Sequence, residues 1–182
     1  MTTNQPTTTT PPTTTNLPTS IYLRTVIDSP VGPLTLVGSD AGLRAVLWPE
    51  DRTGRVALPN TTIDDTHPVL TRTAAQIAEY FAGRRRTFDL PLDLHGTPFQ
   101  VKVWRSLADI AYGTTSTYAE QAGRLGDPNK ARAVGAANGR NPVSIVLPCH
   151  RVVGADGSLT GFAGGLDAKR FLLDLERLPL SS

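Results

Sequence analysis

The chain has 182 residues, 39% hydrophobic and 19% charged, with a formal net charge of +2; such a composition supports a packed core in one large or two small domains. No apolar run is long enough to span a bilayer, and residues 1–6 lack the charged and apolar regions of a signal peptide. The single cysteine, Cys149, excludes an intramolecular disulfide and a multi-thiolate zinc site, and it points to a reducing compartment, read as cytoplasmic.

Residues 1–20 are mostly Thr and Pro without apolar periodicity, which predicts a disordered tail. Residues 21–28, 34–38 and 43–48 read as strands, and the turn signals at 29–33 and 39–42 make them an antiparallel meander. A loop of roughly 15–20 residues follows, marked by Pro59, Asn60 and Pro68. A helix is predicted over 69–82, with Leu70, Ala74, Ile77 and Phe81 on one face and Gly83 behind it. Residues 87–90 are expected to return as a strand. Residues 91–96 then link a first domain (21–90) to a second (97–182). His67 and His95 are expected on loops.

The second half has sharper punctuation. Thr97-Pro98-Phe99-Gln100 combines a Thr N-cap, Pro at the first helical position and a Gln able to close a capping box. Phe99, Val103, Leu107 and Ile110 form one apolar stripe, and Gly113 ends the segment. Thr117 and Glu120 make a second capping box, opening a short helix that stops near Gly126. Asp127 caps a third helix that starts at Pro128 and runs to Asn138 or Gly139. Two short helices across a tight Gly-Asp-Pro turn meet the needs of a helix-turn-helix. After Asn141-Pro142 an apolar strand is expected to lead into Cys149. Asp156-Gly157 marks a turn, 161–165 a loop, and Asp167 caps a last helix with Phe171, Leu172 and Leu175 inward.

Charge is unevenly divided. Residues 1–95 hold 8 Lys/Arg against 9 Asp/Glu, and residues 96–182 hold 10 against 7. The positive surplus lies with the cysteine and permits contact with a polyanion.

A thiol followed at once by an imidazole, Cys149-His150, is either an inert buried group or a nucleophile beside its base. The third helix is slim: Ala131, Ala133, Gly135, Ala136, Ala137 and Gly139 give it almost no bulk. Glycine inside a helix costs about 1 kcal/mol relative to alanine, so either helices pack closely there or something approaches the surface. Arg132, with Lys130 nearby, projects from it. A slim helix with one projecting arginine suits a narrow DNA groove, its guanidinium entering the base stack.

Arg132-Ala133-Val134-Gly135, Asn141-Pro142, Pro148-Cys149-His150-Arg151-Val152, the run from Gly161 through Phe162, Ala163, Gly164 and Gly165 to Leu166, and then Lys169 and Glu176 resemble, in order, the signature of the O6-alkylguanine-DNA alkyltransferases. This family is also called methylated-DNA–protein-cysteine methyltransferase. The close resemblance covers residues 97–176, and the β-rich stretch is similar to the family's variable N-terminal domain. It implies an α/β (α+β) fold, with a ribonuclease H-like N-terminal domain and a mostly helical C-terminal domain carrying the helix-turn-helix.

The resemblance also implies roles. Cys149 is the nucleophile and alkyl acceptor, and His150 is its base through a bridging water. Glu176 orients the imidazole and favours its protonated form, while Asn141 braces the cysteine segment. The Tyr118 hydroxyl donates to the guanine ring as O6 leaves. Arg132 fills the gap left by a flipped nucleotide, and Lys130, Ala131, Gly135 and Ala136 face DNA beside it. Tyr118, Asn138, Val152, Phe162, Ala163 and Gly164 line the base pocket, with an N–H near Ala163 aimed at O6 and the carbonyls of Cys149 and Val152 accepting from the guanine amino group. Flipping is required because the alkylated oxygen is stacked and paired inside a duplex.

The implied reaction is irreversible and single-use, taking the alkyl group from O6-alkylguanine in double-stranded DNA, with O4-alkylthymine as an expected second substrate. No cofactor, metal or membrane enters it. A monomer is expected in solution, with cooperative assembly on DNA left open. The alternative is a non-catalytic binder of alkylated DNA, although relatives of that kind replace the cysteine. A cysteine hydrolase gives the helix pair and Arg132 no purpose, and a methylation-sensing regulator needs a further DNA-binding domain. Phe162 (tyrosine in many members), Ala111 (usually proline) and Asn138 (bulkier and apolar in some) depart from the pattern and bear on the range of alkyl groups.

Overall fold

The computed structural model describes residues 22–177; the Thr/Pro-rich tail expected at 1–20 lies outside the described residues. Strands β1 (Tyr22–Ile27), β2 (Leu34–Ser39) and β3 (Gly42–Leu47) form the antiparallel meander. A fourth strand, β4 (Thr61–Ile63), lies in the stretch expected to be loop and pairs parallel with β1, giving the order β3-β2-β1-β4. Three half-exposed and exposed residues carry too little periodicity to announce a strand.

The strand expected at 87–90 does not form. The Gln76 side chain instead donates to the Asp89 carbonyl and accepts from its N–H, each at 2.9 Å, so that backbone needs no sheet partner. The sheet edge is met slightly later. Leu43 N–H donates to Pro91 O at 2.8 Å, and Asp93 N–H to Leu43 O at 2.9 Å. Gly42 makes this approach possible: its φ is +141°, and a Cβ there would sit 2.5 Å from Pro91 O.

Helix α1 (Pro68–Phe81) lies against the sheet and buries Leu70, Thr73, Gln76, Ile77 and Tyr80. Its inward stripe is rotated from the expected one: Tyr80 is buried, while Ala74 and Phe81 flank the core. His67 precedes α1 without capping it through its side chain, which lies 3.2 Å from Asp40, and His95 lies beside Asp93 at 2.8 Å.

In the helical half the local signals hold. Helix α2 (Pro98–Ser106) opens with both capping-box bonds between Thr97 and Gln100. It tightens into a 3-10 turn over Leu107–Asp109. Phe99, expected in the buried stripe, is exposed. Trp104 is buried instead, and its indole N–H donates to Ala137 O at 2.7 Å. Strand β5 (Ser116–Thr117) leads into α3 (Tyr118–Arg124), again with a complete capping box. Asp127 caps a 3-10 turn, Pro128–Lys130, that feeds α4 (Ala131–Asn138).

Residues 143–148 are not the expected strand. Val143 makes one isolated bridge to Val46, and Ile145 adopts φ +75°, a conformation a β-branched residue takes only when its surroundings impose it. Cys149 opens a 3-10 turn, Cys149–Arg151, followed by β6 (Val152–Val153), which pairs parallel with β5. The last helix, α5 (Gly165–Arg177), starts before Asp167, which therefore sits in its first turn rather than at its cap. Phe171, expected inward, is exposed on one side and leans on Phe81.

One apolar cluster runs through both halves. It joins Leu34, Leu36 and Leu43 of the sheet, Ile77 and Tyr80 of α1, Trp104 and Leu107, and Ile145, Leu147, Cys149 and Leu172. The cysteine is thus part of the core that both halves share. Among the described residues, no helix is long and apolar enough to cross a membrane.

Candidate active site

The cysteine segment is held by a rung across its own loop. Asn141, almost fully buried, donates from Nδ2 to Leu147 O at 2.8 Å and accepts from Val143 N–H at 3.1 Å. The Arg55 guanidinium donates to the Asn141 and Val46 carbonyls and is itself paired with Asp51, tying the loop to the sheet. Sequence reading missed Arg55, because nothing local marks an arginine whose partners lie 86 residues away.

Burial pushes the Cys149 thiol up. Hydrogen bonding from Asn141, the positive charge of Lys169 and the Ser144 hydroxyl act the other way. Lys169 is fully buried, its ammonium donating to Val152 O at 2.6 Å and Thr160 O at 2.8 Å.

His150 has no exposed surface. Its Nε2 lies 2.8 Å from Glu176 Oε1. An ionised carboxylate only accepts, so the bond assigns the proton to Nε2 and leaves the lone pair on Nδ1, which has no hydrogen bond among the described residues. Burial pushes His150 below its ordinary 6.5 against the pull of Glu176. The resting imidazole is therefore neutral. Glu176 does favour the protonated form, as expected, but burial outweighs it.

Glu176 is buried and well furnished with donors. Oε1 accepts from Tyr80 Oη at 2.7 Å, His150 Nε2 at 2.8 Å and Arg151 Nη2 at 2.9 Å. Oε2 accepts from Arg151 Nε at 2.8 Å and Gly113 N–H at 3.2 Å. Burial opposes the carboxylate, but the bonds from His150 and Arg151 prevail and bring it down to about 2. Tyr80 and Arg151 were missed as site residues. Arg151 stood in the quoted motif without a role; it also donates to Ile110 O at 2.6 Å and stacks over Tyr112.

The remaining candidates separate into two faces. On α4, Arg132, Ala133 and Ala136 are exposed, and Arg132 has no side-chain hydrogen bond to the described residues. Lys130 is exposed too, 3.9 Å from Asp127, while Ala131 and Gly135 are half-buried. A Cβ on Gly135 would lie 3.5 Å from the Tyr118 ring, an ordinary contact. The glycine thus leaves the surface open rather than relieving a clash. The Tyr118 hydroxyl lies 3.1 Å from Thr160 Oγ1, whose carbonyl holds Lys169. Asn138 does not join the pocket residues. It turns inward and donates to Gln121 Oε1 at 2.7 Å, and Gln121 donates on to Val103 O and Ser106 Oγ.

Phe162 stands edge-on to both Trp48 (5.2 Å between centroids) and His150 (6.3 Å). With Ala163, Gly164 and Gly165 it walls a cavity of about 440 Å³ whose other side is Val31, Trp48, Pro49 and Glu50. A Cβ on Gly164 would lie 2.5 Å from the indole, so the loop fits against the sheet only with glycine there. Two carbonyls expected to face guanine already have one protein donor each: Val152 O takes Lys169, and Cys149 O takes the Val152 N–H.

The buried Cys149 thiol thus lies within reach of the Lys169 charge and the Asn141 amide, beside a neutral imidazole held by Glu176; among the described residues no group of three or more His, Cys, Asp or Glu could hold a metal ion.

Comparison with known proteins gives a consistent result. The family model "6-O-methylguanine DNA methyltransferase, DNA binding domain" matches residues 98–178, and "6-O-methylguanine DNA methyltransferase, ribonuclease-like domain" matches residues 22–94. The methylated-DNA–protein-cysteine methyltransferase of Methanosarcina acetivorans is 44% identical over 151 residues, covering 83% of this chain and 96% of the relative. That of Mycolicibacterium paratuberculosis is 49% identical over 162 residues, covering 86% and 93%. The crystal structure of Mycobacterium tuberculosis OGT in complex with DNA superposes with a TM-score of 0.77 at 47% identity, covering 86% of this chain and 92% of that one.

Proposed function

The chain belongs to the methylated-DNA–protein-cysteine methyltransferase family, and we propose that it repairs duplex DNA by moving the alkyl group of O6-alkylguanine onto Cys149, once per molecule. The observation that carries this reading is the buried Cys149–His150–Glu176 arrangement, in which the imidazole is neutral and its Nδ1 has no partner among the described residues.

The steps follow from these groups. His150 Nδ1 takes the thiol proton, directly or through a water, and Glu176 stabilises the resulting imidazolium. The Lys169 charge and the Asn141 amide favour the thiolate. The thiolate attacks the alkyl carbon, an S–C bond forms, and the C–O6 bond breaks with its electron pair going to the base. The Tyr118 hydroxyl donates to the ring as that negative charge develops, a contact stronger in the transition state than before it. The ring nitrogen takes a proton from Tyr118 Oη, the imidazolium returns the thiol's proton through water to Tyr118, and the sulfur ends as a thioether, so one proton passes from thiol to base as the alkyl group passes from O6 to sulfur. Water does not readily cleave a thioether, so no step returns the thiol.

Base flipping precedes the chemistry, since a thiol inside the core cannot reach a stacked oxygen. Arg132 enters the stack, with Lys130, Ala131, Gly135 and Ala136 forming the surface that meets the groove. The loop of Phe162, Ala163 and Gly164 closes over the base, and Val152 lies on its other side. Asn138 acts from beneath α4 rather than on the base. The reading includes a cytoplasmic monomer acting on O6-alkylguanine, with O4-alkylthymine as a further substrate.

A tenfold excess of duplex carrying one O6-methylguanine tests the reaction. Lesion loss should plateau at one per protein molecule. Continued turnover would exclude the scheme, and binding without lesion loss would favour the non-catalytic alternative.

A further inference from the structure

One hydrogen bond to the relay comes from the sheet half of the molecule. Tyr80, on α1, donates to Glu176 Oε1 at 2.7 Å across 96 residues of sequence. The same oxygen holds His150 Nε2 at 2.8 Å. The Tyr80 ring is fully buried between Phe81, Phe88 and Tyr112, with centroids 5.4, 5.6 and 6.2 Å away. A phenylalanine would satisfy that aromatic box. A hydroxyl buried there costs free energy unless it is bonded, and among the described residues its one partner is the Glu176 carboxylate.

We propose that Tyr80 is a positioning residue, through which the N-terminal part sets the basicity of His150 by sharing a Glu176 oxygen with it. The inference rests on the relay described above. A donor to Oε1 withdraws electron density that would otherwise stabilise the imidazolium. With Tyr80 in place the imidazole rests neutral, able to accept a proton from the thiol. Without that hydroxyl the carboxylate concentrates on His150, and the ring holds a proton more tightly. Burial and the adjacent Glu176 push the Tyr80 hydroxyl far above its ordinary range, so it remains a donor at any working pH.

The other charged and titratable groups around the pair are Arg151, which grips both Glu176 oxygens; Tyr112, stacked against Arg151 and Arg86; Lys169, whose charge acts on His150; and the adjacent Cys149.

The test is a titration of the full chain carrying carbon-13-labelled histidine, followed by NMR, in the wild type and in Tyr80→Phe. No DNA is present. His150 is distinguished from His67 and His95 by its loss in His150→Gln. The expected result is a rise in the proton affinity of His150 of about threefold or more. An unchanged or lowered affinity would overturn the proposal. Fluorotyrosine introduced at position 80, a stronger donor of the same shape, should move His150 in the opposite direction; movement in the same direction as Tyr80→Phe would also overturn it. Should Tyr80→Phe fail to fold, the fluorotyrosine arm decides alone. Because the titration needs no substrate, its failure leaves the alkyl-transfer reading intact. Loss of single transfer in the wild type would remove that reading whatever the titration gives.

Discussion

Glu176→Gln should lower stability by about 3 kcal/mol and remove most of the alkyl transfer. The carboxylate accepts five hydrogen bonds, and Gln keeps its shape but not its charge. One carboxylate oxygen becomes an amide that donates, and it must face either the Arg151 guanidinium or the cluster of Tyr80 and His150. Arg151 is 5% exposed, and a buried cation that loses its partner costs roughly 3–5 kcal/mol. At about 2–4 °C per kcal/mol for a chain of this size, calorimetry should show a melting temperature lower by roughly 6–12 °C. Transfer from free O6-benzylguanine should fall with it, since the imidazolium loses its counter-charge. A variant with wild-type melting and wild-type transfer would contradict the assignment of Glu176 to both tasks.

The same group predicts the pH dependence of stability. The Glu176 carboxyl is depressed to about 2 in the folded protein, from an ordinary 4.5. Its contribution is therefore complete above about 4.5 and lost as pH falls toward 2, because the unfolded chain binds the proton first. His150 is also depressed, by burial. The unfolded chain protonates this ring near 6.5 while the folded one resists, so stability begins to fall below about 6.5. Urea melts from pH 8 to 3 should show a decline in two stages, and Glu176→Gln should lose the lower one.

Arg132→Ala should slow repair of duplex DNA about 100-fold and leave transfer from free O6-benzylguanine within about twofold. The side chain is exposed and unpartnered within the described residues, so its removal should change stability by no more than about 0.5 kcal/mol. Extruding a base costs a few kcal/mol, and a guanidinium that fills the vacated stack offsets part of that cost. Losing about 2–3 kcal/mol at 1.4 kcal/mol per decade gives roughly a hundredfold. A free base needs no extrusion. Equal losses on both substrates would show that Arg132 serves the chemistry or the fold rather than the opening of the duplex.

The features legible in the sequence are those written within a few residues. The capping boxes of Thr97 with Gln100 and Thr117 with Glu120 formed as predicted, since each closes inside one helical turn. The meander was legible because its strands alternate and its turns carry glycine and proline. The run from Val143 to Leu147 misled for the opposite reason. It is apolar because it is buried on all sides, and burial alone does not distinguish a strand from a tightly coiled loop; the left-handed Ile145 and the flanking Pro142 and Pro148 decide in favour of the loop.

The pairing of Cys149 with His150 was legible from their adjacency, but the place of Glu176 beside them came through resemblance only. His150 and Glu176 are 26 residues apart, and periodicity does not bring them together. Tyr80 and Arg55 were missed entirely, and Arg151 stood in the motif without a role; all three are polar groups whose partners are set by the packing of α1, the sheet and α5. Asn138 shows the converse: the resemblance put it in the base pocket, yet its side chain is claimed by Gln121 beneath the helix.

The central claim concerns one sulfur atom, and the mass of the intact protein reads it directly. After incubation with duplex bearing O6-methylguanine, the wild-type chain should gain one methylene's mass. Peptide mapping should locate it on Cys149, and prolonged incubation in fresh buffer should not remove it. Cys149→Ser, folded by circular dichroism, should gain nothing. An unmodified Cys149 in folded wild-type protein that has met its lesion, or the added mass on any other residue, would contradict the account.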